Sequence, residues 1–123
     1  TCIMFRSNNY GVSYINQGFG NAGGQRLIME NDTIYCVKSG GAFVSIDYGL
    51  NWYVDFYPIQ ANEWYYDMYK DSASIILVGQ GYDPGMAVNY GTIVVSKDYG
   101  DTWLSHKIYD MNFFRSIFMV DNL

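Results

Sequence analysis

The chain has 123 residues, half of them apolar, 19% aromatic and only 15% charged, with 13 Tyr and 13 Gly. That balance excludes a disordered segment or a charged coiled coil, and it favours pleated, half-buried strands punctuated by turns. The formal net charge of −5, from 12 acidic against 7 basic residues, argues against nucleic acid or an anionic membrane surface as partner, because too few cations are present to neutralise phosphates.

In chain order, the first feature is Ser7-Asn8-Asn9-Tyr10-Gly11-Val12-Ser13-Tyr14. It is the degenerate first copy of an octamer that recurs twice more, and it closes a unit assigned to residues 1–15. A Gly-rich run at 18–24 follows, with neither the Lys nor the helix that a phosphate loop needs, and reads as a connection between units. Residues 26–57 form a second unit. Its strands are expected at 26–30, 33–37, 41–45 and 52–56, with Asn31-Asp32-Thr33 as a turn carrying an N-glycosylation sequon.

The second octamer, Ser45-Ile46-Asp47-Tyr48-Gly49-Leu50-Asn51-Trp52, joins the last two of those strands. The third unit covers 64–109, with strands at 64–69, 74–78, 91–96 and 103–108. It contains the third octamer, Ser96-Lys97-Asp98-Tyr99-Gly100-Asp101-Thr102-Trp103. Residues 80–90 interrupt this unit and are expected to form a loop, with a turn at Asp83-Pro84-Gly85. A last apolar stretch, 114–120, reads as the first strand of a fourth unit at 114–123. Four strands in a period of 40 to 50 residues is the size of a β-propeller blade. The expected fold class is therefore all-β: a partial propeller of four-stranded antiparallel blades, with the remaining blades supplied by the same polypeptide or by other copies.

Each octamer has the chemistry of a hairpin turn. Gly11, Gly49 and Gly100 stand where φ is expected to be positive. Asn9, Asp47 and Asp98 can accept from nearby backbone N–H groups as Asx residues do. Ser7, Ser45 and Ser96 add a hydroxyl to the same network, and Trp52 and Trp103 are expected to bury a ring against the next sheet. Ser-x-Asp-x-Gly-x-Thr-Trp resembles the Asp-box, or bacterial neuraminidase repeat. It is matched in full from Ser96 to Trp103, including Thr102, and with Asn51 for Thr in the middle copy. The resemblance is to sialidase-like, xyloglucanase-like and sortilin-like propellers and to blades of viral surface proteins. In those families the box is a structural turn remote from the active site.

Candidate chemistry is sparse. The two cysteines, Cys2 and Cys36, and the one histidine, His106, cannot supply a zinc site, so no metal or cofactor is expected. Buried thiols are the expectation for the cysteines, with a single bridge between sheets as the alternative. Arg6, Arg26 and Arg115 are the only arginines and read as solvated strand ends, while 57–59 lacks the arginine of the Arg-Ile-Pro signature that the resemblance would imply. Asp67, Asp71, Asp83 and Asp110 stand in or beside turns. Glu63 next to Trp64 is the most suggestive acid, because aromatic platforms stack on sugars, although residues 64, 66 and 68 can equally alternate with 65 and 69 as packing. Glu63, Trp64, Tyr82, Asp83 and Tyr90 are the candidate ligand contacts. The favoured reading is a non-catalytic scaffold and glycan- or protein-binding module of an extracellular, cell-surface or virion-surface protein. The alternative is part of a glycoside hydrolase, sialidase-like or xyloglucanase-like, whose catalytic residues lie mostly outside this chain.

Overall fold

A computed structural model describes residues 5–16, 24–38, 41–56 and 62–120. Cys2, the run 18–23 and residues 57–59 lie outside the described residues. Within them the chain is all-β, without a helix, in three antiparallel sheets.

The first sheet pairs β1 (Phe5–Arg6) with β2 (Ile15–Asn16) across the first box. The second is a four-stranded meander of β3 (Gly24–Glu30), β4 (Thr33–Lys38), β5 (Gly41–Ser45) and β6 (Tyr53–Phe56). The third repeats that order with β7 (Glu63–Lys70), β8 (Ile75–Asp83), β9 (Val88–Ser96) and β10 (Leu104–Ile108). Both meanders place a box between their third and fourth strands, as the octamer spacing implies.

The core lies between the two meanders. Val37 and Ala42 of the first meet Tyr65, Met68, Ile75, Leu77 and Val94 of the second, and Ile28, Tyr35 and Trp103 pack around them. Cys36 is buried within β4. The sheets are built on one plan down to an irregularity. A bulge falls at Gln25 in β3, between the pairs Gly24↔Lys38 and Arg26↔Val37. Its counterpart falls at Tyr66 in β7, between Tyr65↔Gly79 and Asp67↔Val78. One extra residue at the same place bends each first strand alike. Arg26 and Asp67 thereby occupy matching positions, and they bond to each other, Nε to Oδ1 at 3.3 Å. Lys70 Nζ similarly reaches back to Glu30 Oε2 at 3.0 Å.

Three sequence expectations need correction. Residues 80–90 are not a loop. β8 and β9 simply run on, with Gly81↔Tyr90, Tyr82↔Asn89 and Asp83↔Val88 still in register, and only 84–87 turn the chain. Asp83 Oδ1 fastens that turn by accepting from Gly85 N and Met86 N at 2.9 and 3.2 Å.

Residues 114–120 form no strand. Their apolar pattern suits a sheet, but a ladder needs a second strand, and no described segment pairs with them. They cross the third sheet as a strap instead. Phe114 N donates to Gly79 O at 2.9 Å, Ile117 N donates to Asp67 Oδ2 at 3.0 Å, and the Arg115 guanidinium lies 5.2 Å from the Tyr66 and Phe113 rings.

The simple alternation expected along 64–69 is also broken. The bulge at Tyr66 shifts the phase, so that Tyr65, Asp67 and Met68 are all buried while Trp64 faces out.

Candidate functional site

The three boxes share one hydrogen-bond network. The serine hydroxyl donates to the Asx Oδ1 at 3.0 Å in the first box and 2.8 Å in the other two. Each glycine N–H (Gly11, Gly49, Gly100) donates to that serine Oγ at 2.8 Å. The backbone N–H of Ser13, Asn51 and Thr102 donates to the Asx Oδ1 at 2.9, 2.8 and 2.9 Å. The seventh side chain completes each set. Asn51 Nδ2 donates to Asp47 Oδ2 at 2.6 Å, the Thr102 hydroxyl donates to Asp98 Oδ2, and in the first box Asn9 Nδ2 donates to Ser13 Oγ at 2.7 Å. The degenerate copy keeps the geometry because Asn with Ser reverses one donor without losing a bond.

The glycines take φ of 86°, 82° and 97°, as their turn position requires. The tyrosines before them, Tyr10, Tyr48 and Tyr99, also have positive φ, of 57°, 55° and 58°. For a bulky side chain that conformation costs about 1–2 kcal/mol. The box tryptophans fold back on their own turns, with Trp52 Nε1 donating to Gly49 O at 3.2 Å and Trp103 Nε1 to Gly100 O at 2.9 Å. Both rings are half-buried rather than engulfed by the next sheet. Trp103→Ala therefore removes about half of a buried ring and should destabilise the fold by about 2–3 kcal/mol, below the 3–5 of a core aromatic. Chemical denaturation measures this, and a midpoint within error of wild type would show that the ring contributes nothing.

The box carboxylates are set by these bonds. Backbone and side-chain donation from Asn51 holds Asp47 down to about 2, from an ordinary 3.8. The hydroxyl and N–H of Thr102 hold Asp98 below its ordinary value. A carboxyl depressed on folding stabilises above its unfolded value, and that contribution is lost as pH falls through the folded one. Thermal stability should therefore decline between about pH 4 and pH 2. Asp47→Asn should narrow that decline, whereas melting curves parallel to wild type across the range would contradict the assignment.

The five candidate ligand contacts divide between two faces of the third sheet. Glu63↔Gly81↔Tyr90 is one cross-strand row, and it points inward. Glu63 is 4% exposed, and its two oxygens accept from the Tyr65 hydroxyl at 2.6 Å and the Tyr90 hydroxyl at 3.1 Å. Burial, reinforced by Glu63, pushes both phenols up. Gly81 makes room for this cluster, since a Cβ there would lie 2.2 Å from the Tyr90 ring. Tyr109 continues it outward, its ring 5.4 Å from Tyr90 and its hydroxyl donating to Asp83 Oδ2 at 2.9 Å. That bond lowers Asp83 and raises Tyr109. The Lys107 ammonium stands 4.8 Å from the centre of the Tyr90 ring.

Trp64 and Tyr82 belong to the other face. Trp64 is level with Gln80, two residues before Tyr82, and Tyr82 with Asn89. Both rings are partly open, 39% and 38% exposed. Around them stand the amides of Gln80, which accepts from the Tyr66 hydroxyl at 3.0 Å, and Asn89. The strap borders this surface: Phe114 lies over Gly91, which pairs with Gln80. Two flat rings beside amide groups can stack on a ligand and hydrogen-bond its edges. Sequence reasoning placed Trp64 and Tyr82 here but could not separate them from Glu63 and Tyr90. It missed Gln80 and Asn89, which only the strand register identifies.

The other residues singled out fall elsewhere. Arg26 is more than a solvated strand end, because its bond to Asp67 helps to form a cleft of about 250 Å³ that also involves Ile28, Met68, Lys70 and Ile117. Asp71 accepts from Ala73 N and Ser74 N at 2.7 Å in the β7–β8 turn, which lowers its carboxyl. His106 is exposed on β10, and Asp110 is exposed after it. Asn31 is exposed in the β3–β4 turn with φ of 57°. Among the described residues no group of three His, Cys, Asp or Glu could hold a metal ion. Comparison with family models, with curated proteins and with solved structures gives no match to this chain.

Proposed function

We propose that this chain is part of an Asp-box β-propeller and serves as a non-catalytic scaffold and glycan- or protein-binding module of an extracellular, cell-surface or virion-surface protein. One observation carries the reading: the same box network, with one donor reversed in the first copy, recurs in three successive units, two of them complete four-stranded meanders stacked face on face. Val37 and Ala42, on the covered face of the first meander, correspond to Val78 and Ile93 on the outer face of the second. In the second meander that position is already shielded, since Val78 is 3% exposed and the strap bonds to its row at Asp67; the apolar side chains left uncovered include Leu27, Met29 and Phe118.

Ligand contact is assigned to Trp64 and Tyr82, with Gln80 and Asn89 as hydrogen-bonding groups. The hydrolase alternative draws no support from Glu63. Both of its oxygens are occupied by buried tyrosines, so it is not positioned to give a proton to a substrate.

Sedimentation velocity over a range of concentrations, paired with thermal melting, tests the scaffold reading. The isolated chain should form oligomers as its outer faces seek cover. A monodisperse monomer with one cooperative melt would contradict it.

A further inference from the structure

The tyrosines of the box turns carry a role that the turns themselves do not need. Tyr10, Tyr48 and Tyr99 hold the same octamer position in the same left-handed conformation, where Gly or Asn fits at less cost. The strain is not repaid by burial, because the three residues are 107%, 55% and 69% exposed. The box network does not use their side chains either. It closes through the serine, the Asx, the glycine N–H and the seventh residue. Strain at exposed residues whose side chains the box network does not use is a pointer to function.

The Tyr99 ring is held in place. The Tyr99 hydroxyl donates to Ser72 O in the β7–β8 turn, which fixes the ring while leaving most of it open. The Tyr48 N–H donates to Asp32 O in the matching turn of the second sheet. Two of the turns add apolar neighbours: Val12 beside Tyr10, and Ile46 and Leu50 beside Tyr48, all more than half exposed. Such side chains at turn tips favour an apolar contact over bulk water. A pre-positioned aromatic such as Tyr99 offers large contact area at little entropic cost.

We propose that the box-turn end of the molecule is a second binding surface, separate from Trp64 and Tyr82, on which Tyr10, Tyr48 and Tyr99 stack against a neutral linear polysaccharide. Two features of the chain select that class. The same ring recurs in the same backbone setting in three successive units, and a polysaccharide, unlike a folded protein surface, repeats its own unit. The net charge of −5, with Asp32 and Asp101 exposed beside the rings, opposes a polyanion. The apolar C–H faces of pyranose rings suit both the tyrosines and their aliphatic neighbours. The surface does not depend on the assignment of Trp64 and Tyr82.

Affinity electrophoresis of the soluble chain tests this, in native gels cast with hydroxyethylcellulose, mixed-linkage β-glucan, xylan or galactomannan. Wild type should be retarded by at least one of them. The variant Tyr10→Asn/Tyr48→Asn/Tyr99→Asn should lose that retardation by about tenfold or more, as expected when anchor rings are removed, and should melt at the same or a higher temperature as strain is relieved. Trp64→Ala/Tyr82→Ala, which empties the platform of the third sheet, is run alongside, and His106→Ala, exposed on β10 and outside both surfaces, should leave the retardation in place. Absence of retardation in all four gels overturns the proposal and leaves a protein as the occupant of the rings. A triple variant that still binds, or that melts several degrees lower, also overturns it. Retardation lost only with Trp64→Ala/Tyr82→Ala overturns it too, while leaving the platform on the third sheet intact.

Discussion

Replacing Gly79 with alanine should unfold the third sheet. A Cβ at this position would lie 1.9 Å from the Trp64 carbonyl oxygen and 2.8 Å from the Tyr65 Cα. Those are backbone atoms of the paired strand, so no rotamer change can relieve the overlap. The contact is close because of the β7 bulge: the extra residue Tyr66 pushes the chain toward β8 where Tyr65 pairs with Gly79. Relief requires β7 and β8 to separate, which would also strip Phe114 N from Gly79 O and loosen the strap. Ordinary overpacking costs about 1–3 kcal/mol, and a collision with main chain should exceed it. Far-UV circular dichroism and denaturant titration should show a loss of strand signal or a midpoint shift equivalent to more than about 3 kcal/mol, a large share of a small domain's stability. Gly85→Ala is the control. That residue lies in the β8–β9 turn, where the nearest atom to a new Cβ is the Asp83 carboxylate at 3.3 Å, and stability should hardly change. If Gly79→Ala melts like Gly85→Ala, the bulge is not where the structure puts it.

The same bulge explains what the sequence could and could not disclose. The boxes were legible because their chemistry is local. Ser45, Asp47 and Gly49 lie within five residues, and the side-chain bonds that close the turn run among them and their immediate neighbours, so turn rules suffice. The four-strand order was legible from apolar runs and turn residues. The bulges at Gln25 and Tyr66 were not, because a bulge is a relation between two strands and leaves no mark on either one alone. Without it Met68 is put on one face with Trp64, and Asp67 reads as a turn residue although it is buried within β7.

The misreading of 80–90 has a different cause. Gly79, Gly81, Pro84 and Gly85 look like loop punctuation, yet Gly79 and Gly81 are strand residues, small because Trp64 and Tyr90 leave no room for a side chain. The strap at 114–120 shows the converse. Its composition suits a strand, but strand formation depends on a neighbour, not only on propensity. For the candidate site the decisive link was the 27-residue separation between Glu63 and Tyr90, which register closes and sequence distance hides.

Removing the Glu63 carboxyl should be the second most damaging change. Both of its oxygens serve buried hydroxyls, and Tyr65 and Tyr90 are each 1% exposed. Glu63→Ala leaves two phenolic O–H groups without an acceptor and a space that the rigid strands cannot close. At about 1–3 kcal/mol for each stranded group, the loss should total about 2–6 kcal/mol. Glu63→Gln provides the discriminating comparison. Its amide keeps one oxygen to accept from Tyr65 and offers an N–H₂ toward Tyr90, whose hydroxyl can accept as well as donate. It should therefore recover most of the stability. A catalytic carboxyl behaves in the opposite way: catalytic residues often weaken a fold, so either substitution would leave stability unchanged or raise it. Denaturation midpoints for the two variants separate these cases. A large loss in Ala with rescue by Gln assigns Glu63 to holding the inward face of the β7–β9 sheet, on which Trp64 and Tyr82 depend for their outward placement. Equal midpoints in wild type, Ala and Gln would remove that role and restore Glu63 as a candidate acid.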